Sequence, residues 1–404
     1  MTGACVELTT GKRRTLSVAA RLGMDFVVSW IRNSLGGCGI QQAERRMRQT
    51  SLHDEYAASG AKVVDFHGWA LPVQFAGIVQ EHLHTRSEAG LFDCSHMGEF
   101  LLRGPDAIDA FDKMVYSDMK GLRIGLCRYS AILNDQGGII DDCVALRLSD
   151  AEYYLVTNAG PLDEVNALFA GVPGVENISD ATTKVDLQGP KARAILLAEG
   201  LECVRDLKYW NGLRTTWRGH DLVITRAGYT GELGYELFVP NAAGPELWRA
   251  LLAHPEVAPC GLGARDTLRT EVGYPLNGED LAPTKTPLEC GMERFIAWDT
   301  EFPGKAAIAA QRDAGNHTVL TAIKTDSRRA PRHGMELKHN GEVVGVVTSG
   351  TFGPSVSFGV GLADIPKALS APGTVLAAGP KDLMVETAGI PIYTDGTCRM
   401  KFTD

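Results

Sequence analysis

Two strand-like runs, Cys127-Arg128-Tyr129-Ser130-Ala131-Ile132-Leu133 and Cys143-Val144-Ala145-Leu146-Arg147-Leu148, flank Asn134-Asp135-Gln136-Gly137-Gly138, and no other stretch constrains the fold as much. Turn residues of that kind between two such runs close a β-hairpin, so the chain builds antiparallel sheet here. The returning strand begins Ile139-Ile140-Asp141-Asp142. Side chains alternate along a strand, so these adjacent acids point to opposite faces. One can then be solvated while the other looks into whatever the sheet covers. A carboxylate in that second position, with no basic neighbour in sequence, is a candidate for acid–base or electrostatic work. Taken alone, however, the pair reads more simply as two acids finishing a turn.

The same texture runs through the chain from Leu52. Strand-like runs at 62–66, 98–103, 152–158, 184–190, 222–226 and 235–240 alternate with helical ones at 79–89, 106–114, 162–170, 247–254 and 264–272. Several of the connections are hairpin-like, which predicts an α+β fold with antiparallel sheets rather than a doubly wound parallel one. The 79–89 helix is expected to stop at Gly90. Beyond about residue 310 the runs at 319–324, 335–339, 342–348, 359–362 and 383–385 are cut by Gly, Pro and Asn turns. That spacing predicts a small all-β barrel or sandwich, with its boundary between Gly304 and His317. The expected division is therefore 1–46, 47–310 and 311–404.

Residues 1–46 stand apart, with seven Lys or Arg against three acids. They read either as an organelle-targeting peptide or as a mis-assigned start ahead of Met47, where the patterned region begins. The first option places the protein in the mitochondrial matrix and the second in the cytoplasm. A net charge of −9 argues against a nucleic-acid surface. No apolar run approaches the roughly 20 residues of a transmembrane helix, so no membrane partner is expected. Nine scattered cysteines with no Cys-x-x-Cys pair argue against a disulfide framework or zinc site and point to a reducing compartment. His82 and His84 are too poorly spaced to share a helix face, so no metal site is expected. Neither a Gly-x-Gly-x-x-Gly turn after a strand nor a Walker lysine motif is present.

Ten segments, in order, carry a family pattern. They are Asp65-Phe66-His67-Gly68-Trp69-Ala70-Leu71-Pro72-Val73-Gln74-Phe75, Leu91-Phe92-Asp93-Cys94-Ser95-His96-Met97, Gly137-Gly138-Ile139-Ile140-Asp141-Asp142, Val156-Thr157-Asn158-Ala159-Gly160 and Asp186-Leu187-Gln188-Gly189-Pro190. Further on come Arg226-Ala227-Gly228-Tyr229-Thr230-Gly231-Glu232, Gly263-Ala264-Arg265-Asp266-Thr267-Leu268-Arg269, Thr286-Pro287-Leu288-Glu289-Cys290-Gly291, Phe302-Pro303-Gly304-Lys305 and Val347-Thr348-Ser349-Gly350-Thr351. Over about residues 48–400 the chain resembles the T-protein family, the aminomethyltransferases of the glycine cleavage system.

The resemblance implies a three-domain cloverleaf around a central folate channel, α+β with a C-terminal β-barrel. It implies transfer of the aminomethyl carbon from the dihydrolipoyl arm of the lipoylated H-protein to tetrahydrofolate, releasing ammonia and forming 5,10-methylenetetrahydrofolate. By motif position, Asp142 would be the catalytic carboxylate and Glu236 the pteridine anchor, with Met97, Tyr129, Asn158 and Arg265 lining the pocket. Asp141 would be the structural neighbour, as a turn acid or salt-bridge partner. Arg265 also reads as a member of a structural ion pair with its helical neighbours, and His96 as a hydrogen-bonded structural residue. The pattern departs from the family at Asn277, where a Tyr is common, at Glu293-Arg294, and at Ser355-Val356-Ser357-Phe358, where lysines are common. Those changes fall on the outer pocket and carrier surface. They leave open a folate-dependent demethylase of a small methylated substrate. A non-catalytic folate-binding scaffold is disfavoured, because the Lys-Gly-Cys-Tyr-x-Gly-Gln motif of that branch is missing.

Overall fold

The computed structural model describes residues 47–402, so the expectations for 1–46 fall outside the described residues. The predicted hairpin forms from Cys127–Leu133 and Ile139–Ser149, with Ala131 opposite Asp142 and Ile132 opposite Asp141. Gly137 takes φ 84° in the turn, a left-handed conformation that glycine adopts without a Cβ penalty. Gly138 is required for a different reason: a Cβ there would lie 1.8 Å from the Pro283 carbonyl oxygen.

This hairpin edges a five-stranded sheet completed by Glu152–Thr157, Gly98–Arg103 and Val175–Asn177, all antiparallel. One face packs Phe100, Leu102, Cys143, Ala145, Tyr153 and Leu155 against Ala107 and Phe111 of the helix Gly104–Asp112 and Val165 of Leu162–Leu168. A six-stranded sheet runs Gly212–Trp217, His220–Thr225, Gly234–Pro240, Thr182–Gln188, Ala89–Asp93, Val257–Cys260. Its Val185, Leu187, Tyr235, Leu237 and Val239 bury against Leu196 of Ala192–Ala198 and Leu247, Trp248 and Leu251 of Gly244–Leu252. Each such side chain contributes about 1.5–3 kcal/mol on leaving water, which fixes strand register because a one-residue slip would expose the whole row.

The remaining faces of the two sheets meet. Leu101, Leu146, Tyr154 and Val156 from one sheet pack on Val223 and Phe238 from the other. By strand alternation Asp142 and Glu99 point into this layer from the first sheet, and Lys184, Asp186 and Glu236 from the second. Met97 packs against both this layer and a neighbouring cluster containing Phe92, Cys94 and Leu268.

The C-terminal strands Thr318–Lys324, Phe358–Pro366, Glu342–Gly353, Glu336–His339, Val375–Ala378 and Leu383–Ala388 close into a six-stranded barrel, as the turn spacing predicts. Two features differ from the sequence reading. The second helix, Ile78–Ser87, ends before Gly90, which lies inside the buried strand Ala89–Asp93. Gly90 serves close approach rather than helix termination: a Cβ would come within 2.3 Å of Thr85 Oγ1 and 2.9 Å of Cys260 Sγ. That strand also pairs parallel with Val257–Cys260, the exception in otherwise antiparallel sheets. Among the described residues no helix is long and apolar enough to cross a membrane.

Candidate active site

Asp142 sits where the hairpin enters the layer between the sheets, and donors from two neighbouring strands converge on it. The Tyr129 hydroxyl, one position diagonal across the hairpin, donates to Asp142 Oδ2 at 3.0 Å. Asn158, just past Glu152–Thr157, donates through Nδ2 to Asp142 Oδ1 at 2.8 Å. The Asn277 amide donates to the Ile140 carbonyl at 3.5 Å, beside this carboxylate. Burial pushes the Asp142 carboxyl up to about 6, and the bonds from Tyr129 and Asn158, with the nearby Asn277 amide, oppose that rise.

Asp141 lies on the opposite face, as alternation requires, but it is neither a turn acid nor a salt-bridge partner. It is wholly buried and accepts the Asn158 backbone N–H at 2.9 Å and Asn158 Nδ2 at 2.7 Å. Burial, then the adjacent Asp142 charge, push Asp141 well above the usual carboxylate range. Two neighbouring buried acids cannot both ionise cheaply. The pair therefore holds a proton more readily than isolated carboxylates would, and Asn158 bridges the two.

A second group forms around Glu236. Its Oε1 accepts from Lys184 Nζ at 3.1 Å and its Oε2 from the Thr225 hydroxyl at 2.8 Å, with the side chain 12% exposed. Lys184 also donates to Asp186 at 2.6 Å, and Arg265 to the other Asp186 oxygen at 2.9 Å. Arg265 is thus in an ion pair, although its partner is Asp186 across the sheet rather than Asp266; Arg269 takes Asp266. The Arg265 guanidinium lies 4.9 Å from the centre of the Tyr229 ring, a cation–π arrangement that fixes its plane.

The six residues named from sequence therefore form two bonded groups, Asp142–Tyr129–Asn158 and Glu236–Lys184–Asp186–Arg265, with Met97 packed between elements of both sheets. Sequence reading missed Lys184. The alternation Lys184-Val185-Asp186-Leu187 put its charges on one face, and a buried lysine beside an acid on that face was the available signal. It also placed two of the three departures too far out, whereas Glu293 and Arg294 are exposed as expected. Asn277 lies beside the catalytic-acid candidate itself, its amide on the Ile140 carbonyl. Ser355 is part of an interior latch, its hydroxyl 2.7 Å from His82 Nε2 and accepting from Arg86 at 3.2 Å. His96 is buried and pushed down to about 3, first by burial and then by Arg265, and its Nδ1 has no hydrogen-bond partner. It is packed edge-on to Phe66. No cluster of three or more His, Cys, Asp or Glu capable of holding a metal occurs among the described residues.

The comparisons with known proteins fit this geometry. Residues 52–300 match the GCVT N-terminal domain and residues 319–388 the glycine cleavage T-protein C-terminal barrel domain. The aminomethyltransferase of Halothermothrix orenii is 38% identical over 335 residues, covering 81% of this chain and 94% of its own. That of Moorella thermoacetica is 39% identical over 349 residues, covering 84% and 94%. The crystal structure of the glycine cleavage system aminomethyltransferase T from Bartonella henselae superposes with a TM-score of 0.81 at 32% identity, over 87% of this chain and 99% of that one. The chain belongs to the glycine cleavage T-protein family of aminomethyltransferases.

Proposed function

We propose that the protein transfers the methylene carbon of the aminomethyl group on dihydrolipoyl H-protein to tetrahydrofolate, releasing ammonia, with Asp142 at the reacting carbon and Glu236 as the pteridine anchor. The observation that carries this reading is the convergence of Tyr129 and Asn158 on Asp142 within a layer that also holds the Glu236 group.

The residues suit a folate. A pteridine presents an amino group beside a ring N–H, a donor pair that one carboxylate accepts. Lys184 and Thr225 occupy one direction on each Glu236 oxygen, and each oxygen has capacity for another donor. They hold the carboxylate in plane, so little ordering entropy is lost on binding. Arg265 gives one terminal nitrogen to Asp186, and its guanidinium carries five N–H donors in all, suited to a folate carbonyl or carboxylate. Bound tetrahydrofolate supplies the amine nitrogens that take the carbon.

The chain's own contribution to chemistry lies at Asp142. Ionised, with one donor on each oxygen, it stabilises the positive charge that develops as ammonia departs and accepts a proton from the attacking amine. Tyr129 and Asn158 orient it, and Asn158 also ties it to Asp141. Aminomethyl-loaded H-protein with tetrahydrofolate should give equal amounts of ammonia and 5,10-methylenetetrahydrofolate. Turnover absent there, but present with a methylated small molecule, would shift the assignment to demethylation.

A further inference from the structure

Glu99 is the least explained side chain in the layer between the sheets. It lies on Gly98–Arg103 opposite Val156, with no exposed surface, and neither carboxylate oxygen has a hydrogen-bond partner. Its backbone is fixed: Ser179 Oγ accepts its N–H at 2.9 Å, and the Ile178 N–H donates to its carbonyl at 2.9 Å. The Tyr154 hydroxyl, diagonal to Glu99 on the next strand, is also buried without a partner. Buried polar atoms are nearly always bonded, so two neighbouring exceptions beside a proposed ligand anchor call for a cause.

The charge around Glu99 supplies one. The ionisable groups that act on it are Lys184 and Asp186 from Thr182–Gln188, Glu236 from Gly234–Pro240, and Asp93 at the end of Ala89–Asp93. Lys184 is the strongest and the one cation among these. Two cations, Lys184 and Arg265, already face two carboxylates, Asp186 and Glu236, at 2.6–3.1 Å. An ionised Glu99 would be a third carboxylate with no cation of its own. Burial accordingly holds it far above the ordinary carboxylate range.

Resting on the assignment of Glu236 as pteridine anchor, we infer that Glu99 is a positioning residue for that anchor. As a neutral acid it leaves Lys184 to Asp186 and Glu236, and on losing its proton it draws Lys184 away from Glu236. The proton goes to solvent, and the charge formed is met by the Lys184 ammonium, two of whose three hydrogens are directed at Asp186 and Glu236. The consequence is a loss of folate affinity at alkaline pH that originates in the protein and not in the ligand.

The test compares wild type, Glu99→Gln and Glu236→Gln by tetrahydrofolate titration across pH, with infrared spectroscopy of the ligand-free proteins. Gln preserves shape and neutrality, so E99Q should fold and bind tetrahydrofolate at neutral pH within about twofold of wild type. Once Glu99 begins to ionise, wild-type affinity should fall by up to about tenfold per pH unit, and that limb should vanish in E99Q. The wild-type minus E99Q infrared spectrum should contain the carbonyl stretch of a protonated carboxylic acid at about pH 7. An identical alkaline limb in both proteins, a difference spectrum showing only a carboxylate, or an E99Q chain that does not fold would each overturn the inference. Unaltered affinity in E236Q would instead remove the anchor assignment on which it depends, whereas the infrared result stands independently of folate.

Discussion

Replacing Asn158 with Ala separates the two acids of the hairpin and allows the cost to be worked through. Asn158 Nδ2 donates at 2.8 Å to Asp142 Oδ1 and at 2.7 Å to Asp141 Oδ1, while its backbone N–H on Asp141 survives the substitution. A hydrogen bond to a charged group contributes about 1.5–3 kcal/mol. Losing the lower figure from ionised Asp142 raises its pKa by about one unit, since 1.36 kcal/mol corresponds to one unit. The acid limb of kcat against pH should therefore move from about 6 to about 7. Stability should follow with a definite sign. The folded-state pKa of Asp142 lies above its unfolded value, so its contribution to stability is full below the ordinary Asp value of 3.8 and is lost as pH rises through about 6. In N158A that loss continues to about pH 7, so the substitution should cost about 1.4 kcal/mol more at pH 8 than at pH 5. Urea melts at both pH values and the pH–rate profile measure the two effects. An unmoved acid limb together with an equal loss of stability at both pH values would refute the coupling of Asn158 to Asp142.

Three further substitutions probe the surrounding groups. Glu236→Gln removes the charge that pairs with a pteridine's two donors and should weaken tetrahydrofolate binding roughly 10- to 100-fold, with kcat at saturation little changed; isothermal titration shows whether affinity is the quantity that falls. Lys184→Met leaves Asp186 and Glu236 without a shared cation in a buried site and should destabilise the chain by about 3–5 kcal/mol. Denaturant midpoints close to wild type would indicate that Arg265 alone suffices for Asp186. Gly138→Ala forces a Cβ to within 1.8 Å of the Pro283 carbonyl, a backbone contact with no flexible side chain to yield. It should cost about 1–3 kcal/mol and lower activity through the misplaced hairpin, whereas a fully stable, fully active variant would show that the hairpin accommodates the displacement.

Much of this site was legible before any coordinates, and the reasons are physical. Turn residues at 134–138 specified the hairpin, and period-two alternation assigned Asp141 and Asp142 to opposite faces, as observed. What local pattern could not supply was the destination of each face. Asp141 was expected at a turn or in an ion pair, yet its face is sealed by helices and its bonding partner is Asn158, 17 residues away. Arg265 was expected to line the pocket, with pairing inside its helix as the competing reading, yet its ion-pair partner is Asp186, 79 residues away, because Leu262–Val272 packs beside the sheet edge. Gly90 read as a helix stop because a glycine needed for close packing looks, in sequence, like one needed for a cap. Lys184 and Glu99 were passed over for a related reason: charged residues on a strand read as solvent-facing until a second sheet covers them.

The role of Asp142 is tested most directly by Asp142→Asn, assayed with aminomethyl-loaded H-protein and saturating tetrahydrofolate. The amide keeps the size of the carboxylate but holds no negative charge and accepts no proton. We expect the tetrahydrofolate Kd to stay within about threefold of wild type, and release of ammonia to fall roughly 100- to 10,000-fold, the range of a positioned acid–base group. Turnover within a few-fold of wild type, in a variant that folds and binds folate normally, would remove Asp142 from the chemistry.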